Sequence, residues 1–287
     1  MSTIRTLQRV IPAVETADGA GVRLRRSIGS TRGLYLDPFL MLDEFYSDDP
    51  RDYLAGFPSH PHRGFETVTY MLDGHMRHED HLGNRGDLGP GAVQWMTAAR
   101  GIIHSEMPQQ NEGRMRGFQL WINLPSAEKM KPAAWRDIPA SEIAEAALPA
   151  GGQVRLIAGS LDIAGQPLNG PVQGVSTDPL YADLHLPAGA CFEQAIPRGH
   201  TAFVFVYEGS LSVAGKPVPP RSAAVLADGD LVSIKAGADG ARVLLLAARP
   251  LGEPIVQYGP FVMNTREQIE QALDDYRNNR LHEPQAA

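Results

Sequence analysis

Several features are scarce in this 287-residue chain, and each scarcity excludes a class of protein. The single cysteine, Cys191, cannot form an intrachain disulfide, which favours a reducing compartment, the cytoplasm, over a secreted disulfide scaffold. No run of about 18 apolar residues occurs, as a membrane-spanning helix needs, and the N-terminal segment lacks the apolar core of a signal peptide. Basic residues are fewer than acidic ones, and the formal net charge is -7. Neither nucleic acid nor a membrane surface is therefore an expected partner.

The remaining composition is that of a globular protein with many turns. Hydrophobic residues make up 43% and charged residues 21% of the chain, which excludes disorder and coiled coil. The 29 glycines and 23 prolines indicate frequent turns and therefore short strands. The length fits one large β domain or two of roughly 130 to 150 residues. We therefore expect an all-β protein.

Period-two apolar patterns in both halves predict two β domains. Thr67–Leu72 is a predicted strand that ends in the turn Asp73–Gly74, and Gly117–Leu124 alternates in the same way. Strand patterns resume in the second half at Val154–Ala158, Leu180–Leu186, Thr201–Glu208, Leu211–Ala214, Ala223–Leu226, Leu231–Lys235 and Val243–Ala248. Each half contains a strand that ends in an acidic residue and glycine, MLDG in the first and VYEG in the second, which indicates a divergent duplication.

We place the two domains at residues 1–135 and 136–287. Residues 126–153 have the composition of a linker, with a short helix predicted over Ser141–Leu148. A longer helix is predicted near the C-terminus, over Thr265–Asn279. Thr265 and Gln268 there have the spacing of a capping box, and Ile269 and the apolar residues after it share one helix face.

Histidine is concentrated in the first half, where six of nine histidines lie between residues 60 and 104. His60 and His62 are two residues apart, so on an extended strand both imidazoles project to one face and can reach one metal ion. His104 and Glu106 repeat this spacing with an imidazole and a carboxylate. A second strand beside the first would complete a shell of three imidazoles and one carboxylate. This ligand set suits iron, manganese, nickel, copper or zinc and does not choose among them.

Other polar residues near these pairs have weaker expected roles. His75, His78 and His81 surround a predicted turn, and we expect them to form a polar strand and loop rather than a metal site. Glu66 follows His62 by four residues and is expected either to orient a ligand through a hydrogen bond or to be a surface carboxylate.

Two long segments carry a resemblance to a known family. GFPSHPHRGFETVTYMLDG (residues 56–74) and PGAVQWMTAARGIIHSEMP (residues 90–108) resemble the pirin family of the cupin superfamily. FLMLDEF (residues 39–45) and GEPIVQYGPFVMNTREQI (residues 252–269) are also pirin-like, so the resemblance covers nearly the whole chain. Ala92, Ala99 and His81 depart from the family pattern, and none of the three is a candidate ligand.

The resemblance implies two cupin barrels, of the double-stranded β-helix or jelly-roll type, in tandem with a C-terminal α-helix. It implies that one divalent metal ion is bound by His60, His62, His104 and Glu106. The metal in this family is most often iron, so the expected ion is Fe(II). The second domain has no H-x-H before VYEG and no histidine at residues 231–248. We therefore expect that domain to lack a metal site.

The resemblance also implies an oxidoreductase with quercetin 2,3-dioxygenase activity. Such an enzyme opens a flavonol with O2 and releases carbon monoxide, and Glu106 is the candidate base. Phe57, Trp95 and Met96 are the expected walls of a site for a flat, flavonol-like substrate. Arg63 and Gln94 are candidate polar guides, with a surface or supporting role as the alternative.

The main alternative implied by the family is an iron- and redox-dependent regulatory protein. It would bind a transcription factor or a metabolic enzyme through the same metal centre, without turnover. A third reading is a sugar-processing cupin such as an isomerase, which is expected to place lysine and arginine near the metal. The scarcity of lysine disfavours it.

Overall fold

The computed structural model of the protein describes residues 2–283. In the first half the strands are β1 (Leu7–Pro12), β2 (Val14–Asp18), β3 (Val22–Arg26), β4 (Phe39–Ser47), β5 (Phe57–His62), β6 (Phe65–Asp73), β7 (Met76–Asp80), β8 (Arg85–Leu88), β9 (Val93–Thr97), β10 (Ile102–Pro108), β11 (Met115–Asn123) and β12 (Ala134–Ile138). Short 3-10 helices cover Pro50–Asp52, Ser126–Glu128 and Ala140–Glu142.

The second half is also built of strands, with one α-helix at its end. The strands are β13 (Ala144–Ala147), β14 (Gln153–Ala158), β15 (Ser160–Ile163), β16 (Gln166–Asn169), β17 (Leu180–Leu186), β18 (Cys191–Ala195), β19 (Thr201–Val213), β20 (Lys216–Val218), β21 (Ser222–Leu226), β22 (Leu231–Ala248), β23 (Val256–Tyr258) and β24 (Phe261–Met263), and the helix is α1 (Arg266–Arg277). The expected all-β architecture of two tandem cupin domains with a C-terminal helix is confirmed. No helix within residues 2–283 is long and apolar enough to cross a membrane.

The chain forms two compact units. We call residues 15–35, 39–140 and 251–283 the histidine unit, and residues 2–14, 36–38 and 141–250 the aliphatic unit. The terminal helix and the two strands before it group with the histidine unit, so the units alternate along the chain. The predicted domain boundary near residue 135 stays a prediction.

The histidine unit contains two main antiparallel sheets. One has seven strands in the order β12-β9-β6-β11-β4-β3-β2, and the other has four in the order β5-β10-β7-β8. The smaller sheet carries the H-x-H and H-x-E segments, because β5 and β10 are adjacent in it. Helix α1 packs its apolar face, including Ile269 and Ala272, against Phe261 and Met263 of β24.

The aliphatic unit contains a nine-stranded sheet whose main path is β1-β21-β19-β22-β17-β14-β13. Strand β22 is long enough to pair with β17 near its end and with β18 near its start. One continuous apolar cluster fills the unit, including Leu184, Val204 and Leu245. Its members alternate along each strand, as expected for side chains that point to one face of a sheet.

The helix prediction near the C-terminus is confirmed and the prediction over Ser141–Leu148 is wrong. Thr265 caps α1 with a capping box, in which the Gln268 N–H donates to Thr265 and the Thr265 N–H donates to Gln268. Residues 141–148 instead form the end of a 3-10 turn and strand β13, which pairs with β14. Their alanines favour a helix, but pairing at the sheet edge overrides that weak preference. The separate strands predicted at Leu231–Lys235 and Val243–Ala248 are the two ends of β22.

Candidate metal centre

The two histidine-bearing strands lie side by side. In the antiparallel pair of β5 and β10, His60 is directly opposite His104, and His62 is opposite Ile102. Residues two apart on a strand share a face, so His60, His62 and His104 project to the same side of the sheet. The register shifts between His104 and Glu106, as in a β-bulge, a device that re-aims side chains near functional sites.

The three imidazoles converge. The ligand nitrogens of His60, His62 and His104 lie within 4.8 Å of one another, and the Nε2 atoms of His60 and His62 are 3.0 Å apart. Two nitrogens bound to one ion at about 2.1 Å and at a right angle would be about 3.0 Å apart. The His60 Nδ1–H donates to the Pro58 carbonyl, which leaves the His60 Nε2 lone pair facing the cluster. The arrangement fits a metal ion held by imidazole nitrogen.

Burial keeps the inner histidines neutral. His62 and His104 are almost fully buried, and burial lowers the pKa of each well below its usual value, with neighbouring histidines adding to the effect. The Nε2 atom of His104 is buried and has no hydrogen-bond partner among residues 2–283. A buried polar atom without a partner is costly. A cation accepting its lone pair would remove that cost, so the cluster can bind a metal.

Glu106 is a buried carboxylate beside this cluster. Its Oε1 accepts a hydrogen bond of 3.0 Å from the Thr69 hydroxyl on β6. The same hydroxyl is 2.6 Å from the Gln119 side chain. A hydroxyl has one proton, and here Glu106 accepts it. The Gln119 contact is therefore a hydrogen bond only if the NH2 group of the amide faces the hydroxyl and donates to it. Burial raises the pKa of Glu106, while the nearby His60 ring and the Thr69 hydrogen bond oppose that rise. Oε2 is left for a cation or a proton.

His78 is a member of the cluster that we did not expect. It is fully buried on β7, the strand on the other side of β10, and its Nδ1 lies 3.1 Å from the Nδ1 of His104. Burial lowers the pKa of His78 to about 4, so the ring is neutral near pH 7. The sequence signal for His78 is its spacing of two residues from the apolar Met76 on β7. Residues two apart on a strand share a face, so both side chains are buried.

Three of the four candidate ligands, His60, His62 and Glu106, line a cavity of about 600 Å³ in the histidine unit, and His104 lies behind them. This volume is typical of small-molecule sites. Its lining is mostly apolar near His60, His62 and Glu106, with Phe57, Met41, Met76, Leu40 and Trp121 among the wall residues. Thr69, Gln119 and the ion pair of Arg26 with Asp43 add polar groups. Burial raises the pKa of Asp43 to about 6 although Arg26 opposes this rise, so Asp43 is ionised near pH 7.

Several predicted neighbours of the site point elsewhere. The Arg63 guanidinium donates to Asp275 and to the Leu281 carbonyl, which ties the ligand strand to the C-terminal segment. Gln94 donates to Asp137. Neither residue lines the cavity, so the prediction that they guide the substrate is wrong.

Phe57 lines the cavity as expected, but Trp95 and Met96 do not. Trp95 is opposite Val68 in the pair of β6 and β9, on the face turned away from Thr69. Trp121, on β11, supplies the indole of the wall instead.

Glu66 accepts a hydrogen bond from Thr97 and does not bond a candidate ligand. It points away from the cavity because Gly64, with φ of +93°, breaks the alternation between β5 and β6.

The fold and site define a cupin protein with two barrels, one of which carries a histidine cluster. The family profile described as Pirin matches residues 21–122, and the profile described as Pirin C-terminal cupin domain matches residues 181–282. The chain belongs to the pirin family.

Similar proteins in the family carry two kinds of name. The chain is 58% identical to a Pseudomonas aeruginosa protein named putative quercetin 2,3-dioxygenase, over 92% of this chain and 94% of the relative. It is 43% identical to human pirin, over 92% of this chain and 89% of that protein. The crystal structure of a quercetin 2,3-dioxygenase from Acinetobacter baumannii is similar with a TM-score of 0.88 and 32% identity, covering 97% of this chain and 99% of the other.

Proposed function

We propose that the protein is a metal-dependent dioxygenase that opens a flavonol such as quercetin with O2 and releases carbon monoxide. The observation that carries the proposal is the convergence of three imidazoles beside a mostly apolar cavity of about 600 Å³, which is lined by His60, His62 and the buried carboxylate of Glu106. Relatives named for this activity, including one at 58% identity, support the choice of reaction.

His60, His62, His104 and Glu106 would hold one divalent ion, for which we propose Fe(II). Zinc, manganese, nickel and copper are also compatible with imidazole and carboxylate ligands. When bound, the ion supplies a Lewis acid for a substrate oxygen and an electron-transfer partner for O2. The neutral state of His62 and His104 prepares both rings for this role, because only an imidazole without its second proton can bind a cation.

Glu106 is the proposed base for the 3-hydroxyl of the flavonol. Burial makes its carboxylate more basic than an exposed one, and Oε2 is free to take the proton while Thr69 holds Oε1. A bound cation lowers this basicity, so Glu106 would act as the base when it is not bound to the ion.

The cavity walls would hold the flat ring system and keep water out. Phe57 and Trp121 offer aromatic faces, and Met41 and Met76 offer adaptable apolar contacts. In the overall reaction, carbon 3 of the flavonol leaves with its own oxygen as carbon monoxide. Both atoms of O2 are retained in the ring-opened product, so atoms balance without another oxidant.

The test is aerobic turnover of quercetin by iron-loaded protein, followed by flavonol absorbance and by carbon monoxide release. We expect one carbon monoxide for each flavonol consumed. Metal-free protein and the His104→Ala variant should release none. A His75→Ala variant is the matched control, because His75 is exposed and does not line the cavity.

The regulatory alternative uses the same candidate ligands, and the same experiment separates it. Protein that binds iron stoichiometrically but releases no carbon monoxide would remove the dioxygenase proposal. A protein partner whose affinity depends on the iron oxidation state would then be sought.

A further inference from the structure

His78 and His104 form a direct contact between two buried imidazoles. Their Nδ1 atoms are 3.1 Å apart, and both rings are almost completely excluded from solvent. The Nε2 atom of each ring lacks a hydrogen-bond partner within residues 2–283. The Trp135 ring lies against His78, with 5.3 Å between ring centroids.

This contact restricts where the protons lie. A neutral imidazole carries one proton on one of its two nitrogens. A hydrogen bond between two Nδ1 atoms therefore requires that one ring has its proton on Nδ1 and the other has its proton on Nε2. If His104 uses Nε2 to bind a cation, its proton must be on Nδ1, and the acceptor must be the Nδ1 lone pair of His78.

We propose that His78 is a positioning residue of the metal centre, which accepts the Nδ1–H of His104 and so fixes its tautomer and ring orientation. The inference rests on the proposed role of His104 as a ligand. A hydrogen-bond partner on the second nitrogen of a ligand histidine is a general need of metal sites and is most often a carboxylate or a carbonyl. Here a fourth histidine of the centre, His78, fills that position.

A neutral acceptor suits this place in the fold. Glu106 is the register partner of His78 across β7 and β10, and it is already a buried acid. A second carboxylate at position 78 would bury another negative charge beside it, which is costly without a cation for each charge. Imidazole accepts the hydrogen bond without adding charge.

The matched variants are His78→Asn and His78→Leu. Asparagine has Oδ1 where histidine has Nδ1, so it keeps the acceptor, whereas leucine has a similar branched shape and no acceptor. The measured quantity is the zinc dissociation constant from competition with a chromogenic chelator. We expect the leucine variant to bind zinc about 10- to 100-fold more weakly, the range that loss of such partners causes. The asparagine variant should stay within a few-fold of the wild type.

A second measurement uses the wild-type protein and does not depend on how the variants fold. Nitrogen-15 NMR of the zinc-loaded protein reports which nitrogen of each histidine carries the proton. The proposal predicts Nδ1–H on His104 and Nε2–H on His78. The reverse assignment overturns it, as does equal zinc affinity of the leucine and asparagine variants, or a wild type that binds no zinc. Neither readout needs turnover, so failure of the dioxygenase proposal would be recognised separately.

Discussion

The histidine unit and the aliphatic unit use the same strand alternation to different ends. In the aliphatic unit, the residues that share one face of β17, β19 and β22 are aliphatic and form one continuous cluster, with Leu184, Val204 and Leu245 among them. In the histidine unit, His60 of β5 and Thr69 of β6 instead line a cavity, and His104 of β10 joins His60 in the histidine cluster. The interior positions of the aliphatic unit pack against one another. The histidine unit instead retains a cavity and buried polar groups, which lowers its stability.

The two units differ in where a ligand site can arise within a fold of two tandem cupin domains. The continuous apolar cluster of the aliphatic unit removes hydrocarbon surface from water, which stabilises the folded chain. A buried imidazole nitrogen without a hydrogen-bond partner, such as Nε2 of His104, is unfavourable unless something binds to it.

Replacement of His104 by alanine should abolish stoichiometric metal binding. Loss of one of three convergent nitrogens is expected to weaken the affinity by more than about 100-fold, a larger effect than loss of a supporting partner. The control is His185→Gln, because His185 is a half-buried histidine on β17 of the aliphatic unit, and this variant should retain one metal per chain. Metal content after dialysis, measured by mass spectrometry, provides the readout. Equal retention of metal by both variants would contradict the assignment of the site to one unit.

Matched leucine deletions should have unequal costs in the two units. Leu245 is fully buried in the continuous cluster, whereas Leu40 lines the cavity. Leu245→Ala should lower the free energy of unfolding by about 4 kcal/mol, toward the upper end for such substitutions. Leu40→Ala should cost about 2 kcal/mol, because the neighbouring cavity already limits its contacts. Urea denaturation of both variants measures these losses, and a greater loss in Leu40→Ala than in Leu245→Ala would contradict the expected difference between the units.

Acid should destabilise the metal-free protein through its buried histidines. The pKa of His78 in the folded protein is about 4. An unfolded histidine titrates at about 6.5, so between these values the unfolded chain binds a proton that the folded chain does not. Stability therefore falls as the pH decreases from about 6.5 to 4, by about 3 kcal/mol for this group. Urea midpoints across that range should show a smaller fall in His78→Asn, and an unchanged slope would argue against the neutral, buried ring.

Replacement of Thr69 by valine should have the smallest effect of the four. It removes the hydroxyl that donates to Glu106 and leaves the shape of the wall unchanged. Loss of one hydrogen bond to a buried carboxylate is expected to reduce turnover about 5- to 10-fold. Thr69→Ser keeps the hydroxyl and should retain most of the activity. If steady-state rates of the two variants are reduced equally, the hydroxyl is not the group that matters.

Local patterns made much of the centre predictable. A spacing of two residues singles out His60 with His62, and His104 with Glu106, because any extended strand converts that spacing into a shared face. The three histidines converge as expected, and the role of Glu106 as a metal ligand stays a prediction. The terminal helix was found because the capping box at Thr265 and Gln268 is a local signal. The strand alternation of the second half predicted Leu180–Leu186 with its observed bounds.

The rest of the site depends on which strands become neighbours. Trp121, Gln119 and Thr69 reach the cavity because β11 and β6 pair in one particular register, which no single segment determines. Arg63 lies beside His62 in sequence, but its partners are Asp275 and Leu281, more than 200 residues away. Strand β2 was missed because all five of its residues are exposed and leave no alternation to detect.

Turnover of quercetin by the iron-loaded protein under oxygen-18 gas bears most directly on the proposed dioxygenase centre. We expect carbon monoxide without the label, and a ring-opened product that contains both labelled oxygen atoms. Consumption of quercetin without carbon monoxide, or a product that lacks the label, would contradict the assignment of a dioxygenase centre to His60, His62, His104 and Glu106.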